Sequence, residues 1–71
     1  VKEQILAALL AKYNGDISYH KANIDIYLKN PTGIGEHPDV LAAIDNEMSK
    51  MTEAEEKRDS LLASWWEARE I

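Results

Sequence analysis

Few residues of this 71-residue chain are of types that could do chemistry, and their spacing limits what they can do. Imidazole occurs twice, at His20 and His37, and cysteine is absent. Two imidazoles are too few for a structural zinc site, and no third ligand stands at a suitable spacing. His20 follows Asp16 by four residues, so on a helix the two share a face. It also falls between Ile17 and Ile24 at a core-type position, where a polar ring reads as a pH-sensitive contact that fixes helix register. Carboxylates crowd the second half at Glu47, Glu53, Glu55, Glu56 and Asp59. General acid–base work needs two carboxyls converging in a cleft, and these are spread around a helix as a solvated face. Glu55 and Arg58 stand apart as a candidate ionic contact that selects register. Gly33-Ile34-Gly35 lacks the Lys-Ser/Thr partner of a phosphate-cradling loop and follows no strand. It reads as a turn whose residues, with His37, are candidates for contact with a partner protein.

Trp65 and Trp66 are consecutive, hence about 100° apart on a helix. With Trp65 facing a helical seam, Trp66 lies toward its edge, which makes it the candidate interface anchor, since Trp is a frequent binding hot spot. With neither a nucleophile–base pair nor a metal set, the chain is expected to be non-enzymatic and to need no cofactor.

The elements that must position these residues are two long helices. Chain punctuation is concentrated in Asn30-Pro31-Thr32-Gly33-Ile34-Gly35-Glu36-His37-Pro38. Pro31 disfavours helix at Asn30, and Pro38 suits the first position of a new helix with Asp39 favourably placed beside it. Both flanking stretches are free of Pro and rich in strong helix formers. The expected elements are helix one over about 2–29, a connector over 30–37, and helix two over about 38–69, all in one domain.

In the first stretch Leu6, Leu10, Tyr13, Ile17, His20, Ile24 and Tyr27 follow one another at 4-3-4-3-4-3 spacing, an unbroken coiled-coil seam. The register passes through Asn14-Gly15 without slipping, so helix one is expected to be continuous there. In the second, Leu41, Ile44, Met48, Met51, Glu55, Arg58, Leu62 and Trp65 alternate at 3-4-3-4-3-4-3, with Ala54 and Leu61 as apolar neighbours. Run back to back, the helices would pair Ile24 with Ile44, His20 with Met48, Ile17 with Met51 and Leu6 with Leu62. The expected fold is all-α, an antiparallel helical hairpin about 42–48 Å long. Ile5, Leu9, Ile26, Leu28 and Trp66 lie off the seam and want another partner. A second copy, giving a four-helix bundle, would supply it.

Net charge of −5 is unevenly spread: residues 1–30 carry +1 and residues 38–71 carry −5. Neither half offers the basic stripe that a nucleic-acid binder needs, so direct nucleic-acid binding is not supported by charge. No apolar run approaches the roughly 20 residues of a membrane span, and a cytoplasmic location is expected.

The tripeptide His37-Pro38-Asp39, in a loop between two antiparallel helices, resembles the His-Pro-Asp of J-domain co-chaperones, which stimulate an Hsp70 ATPase. A J-domain carries a basic helix just before it, whereas Ile24, Asp25, Ile26 and Tyr27 stand here. The longer pattern Tyr19-His20-Lys21-Ala22-Asn23-Ile24 with Asn30-Pro31-Thr32-Gly33-Ile34-Gly35-Glu36-His37-Pro38-Asp39 resembles a family of small helical proteins of T4-like tailed phages, including the helical-hairpin protein encoded beside a phage recombination helicase. That resemblance covers about Val1 to Leu62. It implies a phage-encoded accessory protein in a host cytoplasm, acting through contacts with phage or host proteins. Its alternative form is an accessory role in DNA recombination or replication. The family supplies no catalytic motif to carry over.

Overall fold

A computed structural model of the chain describes residues 1–29 and 39–66. Helix α1 runs over Lys2–Lys29 and α2 over Val40–Trp65. α1 has Glu3 in its first turn and Lys29 in its last, both matched in sign to the helix dipole. It continues unbroken through Asn14-Gly15, as the uninterrupted seam requires. α2 starts two residues after Pro38: Asp39 is its N-cap, and the carboxylate accepts a long 3.4 Å hydrogen bond from the Ala42 amide. The Asp39 carbonyl accepts from the Ala43 amide at 3.2 Å, closing the first turn. Helix α2 ends at Trp65, and Trp66, the C-cap, turns to extended backbone at φ −87°, ψ 120°.

The start of α1 lies beside the end of α2, where Leu6 and Leu9 share a groove with Leu61 and Trp65. The helices are therefore antiparallel and pack as a hairpin, a rod of 52 × 16 × 16 Å. No helix among the described residues is long and apolar enough to cross a membrane.

All seven expected seam residues of α1 are half-buried. In α2 the seam is turned by one edge from the sequence expectation. Its inward line is Val40, Ile44, Glu47, Met51, Ala54, Arg58 and Leu61, at 4-3-4-3-4-3 spacing. Leu41, Met48 and Trp65, expected to face α1, are 79 %, 40 % and 57 % exposed. Ile44, Met51 and Arg58 belong to both lines and keep their place. The physical reason lies opposite, on α1. His20 and Asn23 point polar groups into the interface and need an acceptor, which Glu47 provides and Met48 cannot. A half-buried hydrogen-bonding group left without a partner costs more than an exposed Met gains by burial.

The core that results is very small. Only Ala54 and Leu61 are buried, and Ile5, Tyr19, Ile26 and Leu28 of α1 stay more than half exposed. Two helices cover each other along one stripe and leave both flanks of that stripe open.

Candidate functional site at the middle of the hairpin

The most ordered polar chemistry joins the two helices near their midpoints. His20 Nδ1 lies 2.6 Å from Glu47 Oε1, and Asn23 Nδ2 donates to the same oxygen at 3.1 Å. Both charged side chains are largely covered, at 15 % exposure for His20 and 12 % for Glu47. The hydrogen bond from His20, and then that from Asn23, holds the Glu47 carboxyl below the usual carboxylate range against the opposing effect of burial. An ionised carboxylate only accepts, so the proton of the short contact resides on Nδ1 and His20 is the donor. The edge of the Tyr19–His20 ring pair, with centroids 5.1 Å apart and planes at 81°, flanks this contact.

Asp16, which shares a face with His20, pairs with another residue. Lys12 Nζ donates to Asp16 Oδ2 at 2.8 Å on the surface of α1, and that bond lowers the Asp16 carboxyl and raises the lysine. Beside His20 an open hollow of about 300 Å³ is lined by Asp16, Lys50, Glu53 and Lys57. Its charges are of both signs and offer neither an anion nor a cation a coherent field. Among the described residues no group of three or more His, Cys, Asp or Glu is placed to hold a metal ion.

Glu55 and Arg58, expected as an ionic contact, are both half-buried, but the Arg58 guanidinium is turned to its neighbour and donates from Nε to Asp59 Oδ1 at 2.9 Å. Register is carried instead by His20, as expected, with two residues that the sequence reading passed over. Asn23 and Glu47 were each legible only in the other reading of α2, where Glu47 stands between Ile44 and Met51 at 3-4 spacing. Gly33, Ile34, Gly35 and His37 lie outside the described residues. Of the two tryptophans, Trp65 is the more open at 57 %, whereas Trp66, the expected anchor, is half-buried at the helix C-cap.

A second feature occupies the end of the rod where the termini lie. An open groove of about 600 Å³ runs between the helices there, with Leu6, Leu9 and Tyr13 on one wall and Leu61 and Trp65 on the other. Glu53, Glu56 and Lys57 rim it.

No protein-family model, curated protein or solved structure matches this chain. Geometry alone carries the functional reading.

Proposed function

We propose that the protein is a non-enzymatic helical interaction module, whose work is done by the surfaces that its own two helices leave uncovered. The observation that carries this reading is the imbalance between two buried apolar residues, Ala54 and Leu61, and seven large apolar side chains of the helices and their ends at 55–86 % or, for Met48, 40 % exposure. A chain of this size supplies little core alone, and association is a common remedy. The polar groups of the hairpin support the same reading, because His20, Asn23 and Glu47 are spent on holding the two helices together and not on presenting reactive atoms to a cleft. A phage-encoded accessory role, with a phage or host protein among its partners, is the form of this function that the sequence resemblance favours.

The experiment is a melting series followed by circular dichroism over about a hundredfold range of concentration. For an association module the midpoint rises with protein concentration, since binding stabilises the folded form by mass action. A fully helical monomer with a midpoint independent of concentration would overturn the reading.

A further inference from the structure

Both flanks of the hairpin seam are open, but they differ. Ile5, Lys12, Tyr19 and Ile26 recur every seven residues along α1, on the side of Leu9 and Asp16. Asp16 lines one hollow with Lys50 and Lys57, so α2 presents those lysines, with Glu53, Asn46, Ser60 and Ser64, on the same flank. Leu41 and Met48 lie across the α2 seam from Lys50 and Lys57 and belong to the opposite flank. The first flank holds the apolar groove of Leu6, Leu9, Tyr13, Leu61 and Trp65.

Resting on the reading of the chain as an association module, we infer that the occupant of this groove-bearing flank is a second copy, docked about a two-fold axis parallel to the rod. In that arrangement α1 of each copy lies antiparallel against α2 of the other, and both termini ends meet at one end of a four-helix bundle. Charge selects it. Across the described helices α1 carries four lysines against three carboxylates, whereas α2 carries three cations against six carboxylates. The alternative two-fold axis, across the rod, sets α1 on α1 and α2 on α2, placing like-charged helices side by side. Opposed potentials fix the register of a docked pair and suppress the wrong one.

Apolar surface points the same way. With the axis along the rod, the two grooves face each other at the termini end. Trp65 of each copy, 57 % exposed on its own hairpin, then stands at the mouth of the partner's groove. At the height of Lys12, the partner presents Glu53 and Glu56 from the rim of its groove. The arrangement is self-complementary, as a closed two-fold interface must be.

Because the chain has no cysteine, single substitutions give one thiol per copy. Ser64→Cys marks the termini end of α2 and Asn46→Cys the connector end, both at exposed positions. With a short bis-maleimide, the proposed dimer cross-links Ser64→Cys to itself and Asn46→Cys to itself. A crossed axis gives neither homodimer, and links only a mixture of the two variants, which would overturn the inference while leaving association intact. Ile5→Glu, on the docking flank and outside the hairpin seam, is expected to raise the dimer dissociation constant at least about tenfold, with helicity retained at high concentration. Leu41→Glu on the opposite flank leaves it unchanged. Loss of the dimer in Leu41→Glu but not in Ile5→Glu would place the interface on the other flank and refute the inference. A folded monomer at all concentrations would refute both the inference and the reading beneath it.

Discussion

His20 of α1 and Glu47 of α2 meet at 2.6 Å across the hairpin, and the same Glu47 oxygen accepts from Asn23 one turn along. One carboxylate thus ties two successive turns of the opposite helix. Removing it strands two donors in a half-covered interface, whereas removing one donor leaves the other in place. Glu47→Ala is accordingly expected to lower the melting temperature more than either His20→Ala or Asn23→Ala, and much more than Asp59→Ala at the exposed Arg58 pair. A His20/Glu47 double-mutant cycle measures the coupling directly; additive losses would show that the contact contributes nothing.

The same contact gives the hairpin an acid limb. Glu47 is held below its ordinary value of 4.5 in the folded chain, first by the His20 bond and then by the Asn23 bond. As pH falls, the unfolded chain therefore takes up this proton before the folded one does. The contribution is complete above about pH 4.5 and is lost as pH drops through the depressed value. Melts between pH 6 and pH 2 should show stability declining, with a shallower decline in Glu47→Gln.

Gly15 sits in the middle of α1, and a methyl group built there meets no atom within 4 Å. The helix gains from Ala at such a site without a steric cost. Gly15→Ala should stabilise the protein by about 1 kcal/mol, visible as a rise in melting temperature of roughly 4–8 °C for a chain of this size. A fall would mean that the glycine serves a bend or an approach by another molecule.

Leu61 and Ala54 are the two buried side chains of the described residues, at 6 % and 4 % exposure. Leu61→Ala removes most of the apolar burial at the termini end and should cost about 2–3 kcal/mol, enough to unfold much of a marginal chain. Ala54→Leu forces bulk between the helices beside His20 and should cost about 1–3 kcal/mol. Leu41→Ala, at 79 % exposure, is the comparison and should change stability by less than about 0.5 kcal/mol. Chemical denaturation of the three variants at one fixed concentration distinguishes these outcomes.

In Trp66→Phe the remaining tryptophan reports on the groove. Trp65 should be readily quenched by iodide in dilute solution, when it is more than half exposed. Quenching should fall as concentration rises through the range in which the protein associates. Constant quenching across that range would place Trp65 outside the interface.

The first helix was legible from its sequence in full. Leu6 through Tyr27 form a single narrow stripe that only one face can satisfy, and Gly15 costs too little to break it. The second helix was legible as a helix but not in its facing. It carries two apolar lines side by side, one through Leu41, Met48 and Leu62, the other through Val40, Ala54 and Leu61. Hydrophobicity favours the first, because the second contains Glu47. The choice between them is made on the other helix by His20 and Asn23, whose need for an acceptor is not visible in the pattern of α2. The polar site was half legible for the same reason: His20 stands out in an apolar seam, whereas Glu47 is one carboxylate among six on its helix.

The seam has apolar residues above and below the Glu47 contact, and one heptad of a coiled coil looks much like the next. Sliding α2 by seven residues would move it about 10 Å, and the nine residues 30–38 can reach about 30 Å. Such a slide would again set Leu, Ile and Tyr against Leu, Ile and Met. The carboxylate is what makes the correct position unlike its neighbours, as a notch does on an otherwise uniform rail. A chain without Glu47 would therefore lose singularity before it loses helix. Its far-ultraviolet spectrum would stay close to that of the parent, while its amide resonances would split or broaden among hairpins that have slipped.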